Sequence, residues 1–219
     1  MGRGLTTGPA PAATMSDVTD VRGLLSRASV QVAPDLLGWR LSRTTVDGTV
    51  TVSLSEVEAY AGVDDPASHA YRGRTARTGV MFGPAGHLYV YFTYGMHWCC
   101  NVVTGPDGEA SAVLLRAGRV IAGTDLARGR RGPKVAERSL ARGPATLTQA
   151  LGITGADNGI DLLSGSSVRL QPPPDDLRHP AVSCGPRVGV SRAADVAWRF
   201  WITGDETVSA YKRSPRVVD

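Results

Sequence analysis

Two glutamates lie two positions apart near the end of the segment VTVSLSEVEAY, residues 50 to 60. The apolar–polar alternation predicts a β-strand, in which residues two apart share a face and lie about 7 Å from each other. Glu56 and Glu58 therefore fall on the face that carries the apolar residues of the first half of the strand. Two carboxylates at this separation suit the acid and base of a glycosidic cleavage through water, but a solvated sheet edge produces the same pattern. The alternation leaves open whether the face ends at such an edge or in a polar pocket.

A histidine follows this strand within the loop GVDDPASH, residues 62 to 69. Asp64 or Asp65 can cap a short helical turn, and Pro66 suits its first position. Such a turn would present His69 beside the end of the strand. Because a lone histidine is structural more often than catalytic, His69 does not define a site without further observations.

Aromatic residues concentrate in the segment LYVYFTYGMHWCC, residues 88 to 100. The chain contains six tyrosines, four tryptophans and three phenylalanines, and five of these fall inside the segment. Alternation places Tyr89 and Tyr91 on one face of a strand, while a chain reversal at Gly95 leaves Tyr94 near the tip of a hairpin. An aromatic ring at such a tip buries little in its own core, so we expect something else to cover Tyr94.

Basic residues are almost all arginines, with 22 Arg and two Lys in the chain. Arginine matches the geometry of phosphate oxygens, although biased codon usage gives the same excess. Two arginine-rich segments, YRGRTAR at 71–77 and ARGRRGPKVAERSLAR at 127–142, lie on either side of the aromatic segment. Each alone is typical of a solvated surface. Together with an exposed aromatic wedge they indicate nucleic acid, held at its phosphates and opened between base steps.

The composition limits the class of protein. At 23.0 kDa, with 42% hydrophobic and 20% charged residues, the chain is typical of one soluble domain. No apolar run approaches the roughly 18 residues that span a bilayer, and the N-terminus lacks the layout of a signal peptide. We therefore expect a cytoplasmic protein without membrane contact. The three cysteines lack the paired spacing of a structural zinc or iron–sulfur site.

The order of predicted elements indicates an α+β fold: a single domain built on a mainly antiparallel, curved β-sheet with flanking helices and a protruding β-hairpin. We expect a flexible leader over residues 1–19, in which Met15 is an alternative start, a folded domain over 20–213, and a C-terminal tail over 214–219. Helices are predicted at about 16–33 and at about 120–151, the second interrupted at Gly143-Pro144. Strands are predicted on both sides of Asp47-Gly48, at 87–94, 97–103 and 111–117, and near 167–171, 187–191 and 198–203.

Five segments carry a more specific signal when they are taken together. They are EVEAYAGVDDPASH, RGRTARTGVMFGPAGHLYVYFTYGMHWCCNVV, AVLLRA, LARGPATLTQALGI and PRVGVS. In this order, and nearly without gaps over residues 36 to 210, the chain resembles bacterial members of the alkyladenine (3-methyladenine) DNA glycosylase family. The members of that family excise damaged purines from DNA.

The resemblance implies catalytic roles for two residues. Glu58 would be the general base that activates water for attack on C1′, and Arg116 would hold that water and Glu58 in place. Glu56 has a counterpart in the family that is not catalytic. The resemblance also implies a hydrolysis without metal or cofactor, in which an already cationic base leaves readily.

The resemblance further implies a pocket for a nucleotide flipped out of the duplex. Tyr60, His69 and Tyr91 would form its stacking walls, and Asn101 at its floor would disfavour the exocyclic amine of normal guanine. Tyr94 would intercalate into DNA and fill the vacated space.

The partner implied is double-stranded DNA containing damaged purines, bound by a monomer that acts at the nucleoid. Vertebrate members carry a third tyrosine where this chain has His97. Contacts to the DNA backbone are expected from Arg72, Arg74, Arg77, His97 and Arg142. Because Lys134 and Lys212 lie outside the matched pocket segments, we expect a monofunctional enzyme that leaves an abasic site. The preferred lesion stays open among 3-methyladenine, 7-methylguanine, hypoxanthine and ethenoadenine.

Two other classes of function compete with this interpretation. A catalytically inactive DNA-binding module on the same scaffold would use the arginines and Tyr94 without needing Glu58. A metal-dependent hydrolase would use His69, His87 and His97 with the two glutamates, but their spacing does not match a helical metal site.

Overall fold

The fold of this chain is built on one antiparallel β-sheet. A computed structural model describes residues 15–93, 95–174 and 180–217. Eight strands form one sheet whose pairs are all antiparallel. They are β1 (Arg40–Thr45), β2 (Gly48–Tyr60), β3 (Leu88–Thr93), β4 (His97–Val103), β5 (Ala112–Ala122), β6 (Val168–Gln171), β7 (Val182–Gly185) and β8 (Arg199–Ile202). The predicted α+β fold with a mainly antiparallel sheet is confirmed.

Four α-helices flank the sheet in the described part of the chain. They are α1 (Met15–Leu25), α2 (Ser29–Asp35), α3 (Thr124–Arg131) and α4 (Pro144–Leu151). Short 3₁₀ turns at Gly62–Asp64, Gly79–Phe82, Glu137–Ser139 and Gly155–Asp157 complete the regular structure. Within the described residues, no helix is both long and apolar enough to cross a membrane.

Strand β2 is central to the sheet. The main order is β3-β4-β5-β2-β1-β6, and β8 pairs with β2 and with β7. The first half of β2 pairs with β1, while Glu56, Val57 and Glu58 pair with β8. Along its other edge β2 pairs with β5. The end of β2 is therefore held between two strands, which fixes any side chain that it carries.

The sequence pattern located most of these elements and missed some boundaries. The predicted hairpin is formed by β1 and β2, with Thr45 opposite Gly48. The first helix ends earlier than predicted, at Leu25, and the chain starts a separate helix at Ser29. The strand predicted near 187–191 is wrong, because these described residues form a loop. There the Val188 N–H donates to the side chain of Glu58 rather than to a neighbouring strand.

The long helix predicted near 120–151 is also wrong in part. Residues 120–122 extend β5, and the described stretch 132–143 contains a single 3₁₀ turn between α3 and α4. Gly123 separates β5 from α3 with a φ of 72°, and a Cβ there would lie 2.2 Å from the carbonyl oxygen of Thr49. Gly132, with a φ of 112°, ends α3. Glycine is suited to both conformations because it has no Cβ.

Candidate active site

Two bulges change the direction of side chains near the end of β2. Leu54 pairs with Gly118 and Glu56 with Ala117, which leaves Ser55 unpaired on β2. One residue further on, Val57 pairs with Leu115, which leaves Arg116 unpaired on β5. Bulges of this kind redirect side chains and are common next to active sites.

The bulge at Ser55 corrects the face predicted for the two glutamates. The main hydrophobic core contains Val50, Val52 and Leu54, and then continues with Val57 and Ala59. The core face of β2 thus switches from even to odd positions, and the even positions beyond the bulge no longer continue that face. The two carboxylates lie at a buried polar site rather than at a solvated edge, since both side chains are 0% exposed.

Glu56 is held entirely by protein donors. Its Oε1 accepts from Arg116 Nε at 2.9 Å, from Arg199 Nη1 at 3.3 Å and from the Ser209 hydroxyl at 2.9 Å. Its Oε2 accepts from the backbone N–H of Ser209 at 2.7 Å. These four hydrogen bonds come from protein groups packed around the carboxylate, and Glu56 does not line the cleft described below.

Glu58 has fewer donors. Its Oε1 accepts from the backbone N–H of Val188 at 2.7 Å and lies 3.3 Å from Nη1 of Arg116. Its Oε2 accepts from the Tyr60 hydroxyl at 2.9 Å. The two hydrogen bonds and the ion pair with Arg116 leave about one acceptor position free, on Oε2. Because Glu58 also lines a cleft, that position is available to a water molecule.

The charges around Glu58 are fixed by burial and by one another. Burial acts to lower the pKa of Arg116, but the charges of Glu58 and Glu56 outweigh it and raise that pKa, so the guanidinium stays charged. Burial and the negative charge of Glu58 raise the pKa of Tyr60 well above 10. The phenol therefore keeps its proton and acts as a donor to Glu58.

The cleft has a volume of about 810 Å³, which is enough for a purine nucleoside. Predicted site residues from β2, β3, β4, β5 and the loop after β2 meet on its walls. They are Glu58, Tyr60, His69, Tyr91, His97, Asn101 and Arg116. The structure thus brings together all the predicted catalytic and base-pocket residues and one of the predicted backbone contacts.

Three aromatic rings form one wall of the cleft. His69 packs edge-on against Tyr91, with ring centroids 4.5 Å apart, and Tyr89 stacks on Tyr91 at 5.6 Å. One side of His69 is open to the cleft. The surrounding protein, together with the positive charge of Arg77, lowers the pKa of His69 to about 4, so the ring is neutral at pH 7. A neutral aromatic wall can stack on an inserted base without charge repulsion.

Asn101 is oriented by the hairpin that carries it. Strands β3 and β4 pair Asn101 with Tyr89, and the side-chain amide of Asn101 donates to the Tyr89 carbonyl at 3.1 Å. The side chain is buried at 5% exposure and lines the cleft. A buried amide held in one orientation can discriminate between bases by their polar edges.

A family model described as "Methylpurine-DNA glycosylase (MPG)" matches residues 24–206 of this chain. The chain belongs to the methylpurine-DNA glycosylase family.

Relatives in three bacteria agree with this assignment. The chain is 53% identical over 207 residues to a protein of Streptomyces avermitilis, covering 89% of this chain and 93% of the relative. It is 53% identical over 194 residues to one of Mycolicibacterium paratuberculosis (85% and 90%), and 48% identical over 189 residues to one of Burkholderia lata (86% and 89%). Each is named "Putative 3-methyladenine DNA glycosylase".

The residues expected to contact DNA in this family member lie mostly outside the cleft. Arg72, Arg74, Arg77 and Arg142 are exposed. The guanidinium of Arg77 lies 5.5 Å from the Tyr91 ring centroid, and that of Arg74 lies 6.0 Å from the Phe82 ring centroid. Arg142 donates from Nε to the Val208 carbonyl at 2.8 Å. Tyr94, the predicted intercalating residue, lies outside the described residues.

The arginines of the 127–142 segment have a structural role that the sequence did not indicate. Arg130 donates to the carbonyls of Ala150 and Leu151 at 3.1 and 2.8 Å, at the C-terminal end of α4. Arg131 donates to the Leu140 carbonyl at 2.9 Å and Arg128 to that of Val135 at 3.1 Å. Such bonds satisfy carbonyls that have no helical partner. These arginines hold α3, α4 and the loop between them together.

Residues 214–219 were predicted as a C-terminal tail, but Ser214, Pro215 and Arg216 line the cleft together with the end of the predicted domain. The segment 212–216 forms part of its wall and includes Lys212, Arg213 and Arg216. The backbone N–H of Gly189 donates to the Lys212 carbonyl at 3.0 Å, which ties the segment to the loop that holds Glu58. Lys212 therefore lines the cleft although it lies outside the matched segments of the sequence.

Sequence reasoning also missed the donor at Val188 and the charged pair of Asp65 and Arg187 behind Tyr60. Val188 and Arg187 lie in the quoted segment PRVGVS, but nothing in its pattern specifies their partners. Within the described residues, no group of three or more His, Cys, Asp or Glu side chains is placed to hold a metal ion.

Proposed function

We propose that this protein is a monofunctional DNA glycosylase of base excision repair that flips alkylated or deaminated purines out of duplex DNA and hydrolyses the N-glycosidic bond. The main support is Glu58, a buried carboxylate with one free acceptor position, at the wall of an aromatic cleft in a chain of the methylpurine-DNA glycosylase family. The glycosidic carbon is unreachable within the base stack, so the nucleotide must leave the duplex before the reaction.

The aromatic rings would bind the extruded base. Tyr60, His69 and Tyr91 line the cleft and offer faces or edges for stacking. Tyr94 would enter the duplex and occupy the space that the base leaves. Asn101 would exclude normal guanine, because its exocyclic amine would meet a fixed amide without a suitable partner.

Glu58 would act as the general base. A water on its free acceptor position would lose a proton to Glu58 as its oxygen attacks C1′ and the C1′–N bond breaks. The electron pair of that bond leaves with the purine, which carries it as a neutral base if N3 or N7 is alkylated. The carboxylate would also stabilise the positive charge that develops on the sugar. Arg116, 3.3 Å from Glu58, would hold the carboxylate in its orientation.

The partner would be double-stranded DNA bound at its phosphates. Arg72, Arg74, Arg77 and Arg142 are exposed, and His97 lines the cleft. Phosphate contacts of this kind release counterions, so the affinity should fall steeply as salt rises. One nucleotide is excised at a time, which a monomer in the cytoplasm can do.

The product would be an abasic site without strand cleavage. A lyase step needs an amine that loses its proton through desolvation or through a neighbouring cation. Lys212 lines the cleft but its side chain is exposed to solvent rather than desolvated. Incubation of the product DNA with and without heat or base tests this: breaks without either treatment, or an adduct that borohydride traps and Lys212→Met abolishes, would contradict it.

Single-turnover base release tests the function. The substrates are duplexes that carry one hypoxanthine or one ethenoadenine, and a chelator is present. The proteins compared are the native chain, Glu58→Gln and the matched control Glu109→Gln. The side chain of Glu109 is exposed and lies outside the cleft. We expect release by the native chain and the control, and a loss of about 10²–10⁴-fold in Glu58→Gln with DNA binding retained. Binding without release by the native chain on these lesions and on alkylated DNA would instead indicate an inactive binding module.

A further inference from the structure

Arg187 is an arginine in an unusual place. It is 1% exposed and has the largest side chain among the fully buried residues that the structure describes. Burying a guanidinium costs several kcal/mol unless its donors find partners. A charge kept in such a position is therefore expected to hold specific groups in place.

The partners of Arg187 come from the end of β2 and from the loop that follows it. Its two terminal nitrogens donate to the two carboxylate oxygens of Asp65, with Nη2–Oδ1 at 2.9 Å, and Nη1 donates to the Ala59 carbonyl at 3.0 Å. Asp65 in turn accepts from the backbone N–H groups of Ala61 and Ala67. The pair thus fixes the loop that runs from the end of β2 toward His69.

Arg187 also supports the aromatic wall. Its guanidinium carbon lies 4.8 Å from the ring centroid of Tyr60 and 5.2 Å from that of Trp198. Tyr60 therefore has a planar cation behind it while it donates to Glu58 on the cleft side. The next residue, Val188, gives its backbone N–H to the same carboxylate at 2.7 Å.

We infer that Arg187 is a positioning residue for the proposed glycosylase reaction. Its two-pronged contact with Asp65 and its stacking on Tyr60 hold Tyr60, the Val188 donor and the loop that carries His69 in fixed positions relative to Glu58. This inference rests on the proposed function. Arg187 does not line the cleft. It acts through Tyr60 and Val188, which donate the two hydrogen bonds to Glu58, and through the ring of Tyr60, which would contact the base.

Two variants separate positioning from general stability. Arg187→Lys keeps the charge but cannot form the two-pronged contact with Asp65. The double variant Arg187→Met/Asp65→Asn removes the charge from both partners, so that no unpaired ion is left buried. The matched control is Arg43→Met/Asp157→Asn, which removes a second largely buried pair, 3.0 Å apart, whose residues do not line the cleft.

Three quantities are measured on each variant: the melting temperature, the rate of single-turnover release from ethenoadenine duplex, and the affinity for undamaged duplex. We expect both Arg187 variants to release the base at least tenfold more slowly and to bind undamaged DNA within twofold of the native chain. The control should lose melting temperature while its release rate stays within twofold. Native release rates in both Arg187 variants, or an equal loss in the control, would overturn the inference.

A spectroscopic measurement covers the case in which a variant folds poorly or the reaction itself is absent. Ethenoadenine is fluorescent, and its emission changes with the rings that it stacks on. In a Glu58→Gln background, binding of ethenoadenine duplex should change this emission less with Arg187→Lys than without it. The same emission change in both proteins would contradict the positioning role, whereas absence of base release by the native chain on every lesion would contradict the proposed function alone.

Discussion

The first half of β2 is buried on one face and the second half on both, and the buried residues of the two halves are stabilised by different interactions. In the first half, Val50, Val52 and Leu54 are fully buried in the main hydrophobic core. In the second half, Glu56 and Glu58 are also fully buried, and their partners are charged or polar groups. The single unpaired residue Ser55 separates the halves. A one-residue bulge therefore lets a core strand continue as the wall of a polar site without leaving the sheet.

The two glutamates show which observation distinguishes a structural carboxylate from a candidate catalyst. Burial does not, because both side chains are 0% exposed. The number of hydrogen bonds and the contact with the cleft do: Glu56 accepts four hydrogen bonds and does not line the cleft, while Glu58 accepts two, forms an ion pair with Arg116 and lines the cleft. Free acceptor capacity next to open space is the feature that a water-activating base requires.

The largest expected effect on stability follows from Glu56→Gln. This change leaves the buried guanidinium of Arg199 without its carboxylate and removes one of the two from Arg116. We expect a loss of about 3–5 kcal/mol in the free energy of unfolding, measured by urea denaturation. Glu58→Gln should lose less than half as much, because Arg116 keeps its bond to Glu56. Equal losses in the two variants would mean that donor count does not separate the two roles.

The next prediction concerns the apolar half. Leu54→Ala leaves a cavity in the main core and should lower the free energy of unfolding by about 3 kcal/mol. Base release, corrected for the folded fraction, should remain within twofold of the native rate, because Leu54 does not line the cleft. A slower corrected rate would show that the core half of β2 also sets the geometry of Glu58.

Periodic and local signals account for what the sequence predicted. The hairpin of β1 and β2 follows from alternation around a turn, and the family resemblance specified the cleft residues from Tyr60 to Arg116 that the structure brings together. The bulge at Ser55 is visible in the sequence as a change in alternation: the apolar residues occupy even positions up to Leu54 and odd positions from Val57 onward.

The contacts that the sequence could not give are pairings between distant segments. Arg187 and Asp65 lie 122 positions apart, and the Val188 N–H and Glu58 lie 130 apart. Each depends on one backbone or side-chain group with no periodic neighbour, so no pattern within a window of residues specifies it. The segment 212–216 joins the cleft for the same reason, through a backbone bond from Gly189.

A smaller effect should follow when Glu58 loses one donor. Tyr60→Phe removes the 2.9 Å bond from the phenol and keeps the ring on the cleft wall. A neutral hydrogen bond contributes about 0.5–1.5 kcal/mol, so we expect base release to slow by about two- to tenfold with little change in melting temperature. The matched control is Tyr71→Phe, whose side chain is exposed and does not line the cleft. An unchanged rate in Tyr60→Phe would show that the Val188 N–H and the ion pair with Arg116 suffice to orient the carboxylate.

The smallest effect concerns His69, which lies in the loop after β2 and is neutral at pH 7. Its pKa is lowered from 6.5 to about 4 by the protein around the ring and by the positive charge of Arg77, although part of the side chain is exposed. Between these two values the unfolded chain binds more protons than the folded one, so stability falls as the pH drops from about 6.5 to about 4. One side of the ring is open to the cleft, and solvent there makes the slope shallow.

His69→Asn should remove this contribution, so that its melting temperature declines less over that pH interval than that of the native chain. His87→Asn is the control for loss of an imidazole outside the cleft. Thermal unfolding at several pH values between 4 and 6.5 measures the slopes. The melting temperatures of the native chain and of His69→Asn could instead decline in parallel as the pH falls. His69 would then be protonated as easily in the folded protein as in the unfolded chain, which would contradict this prediction.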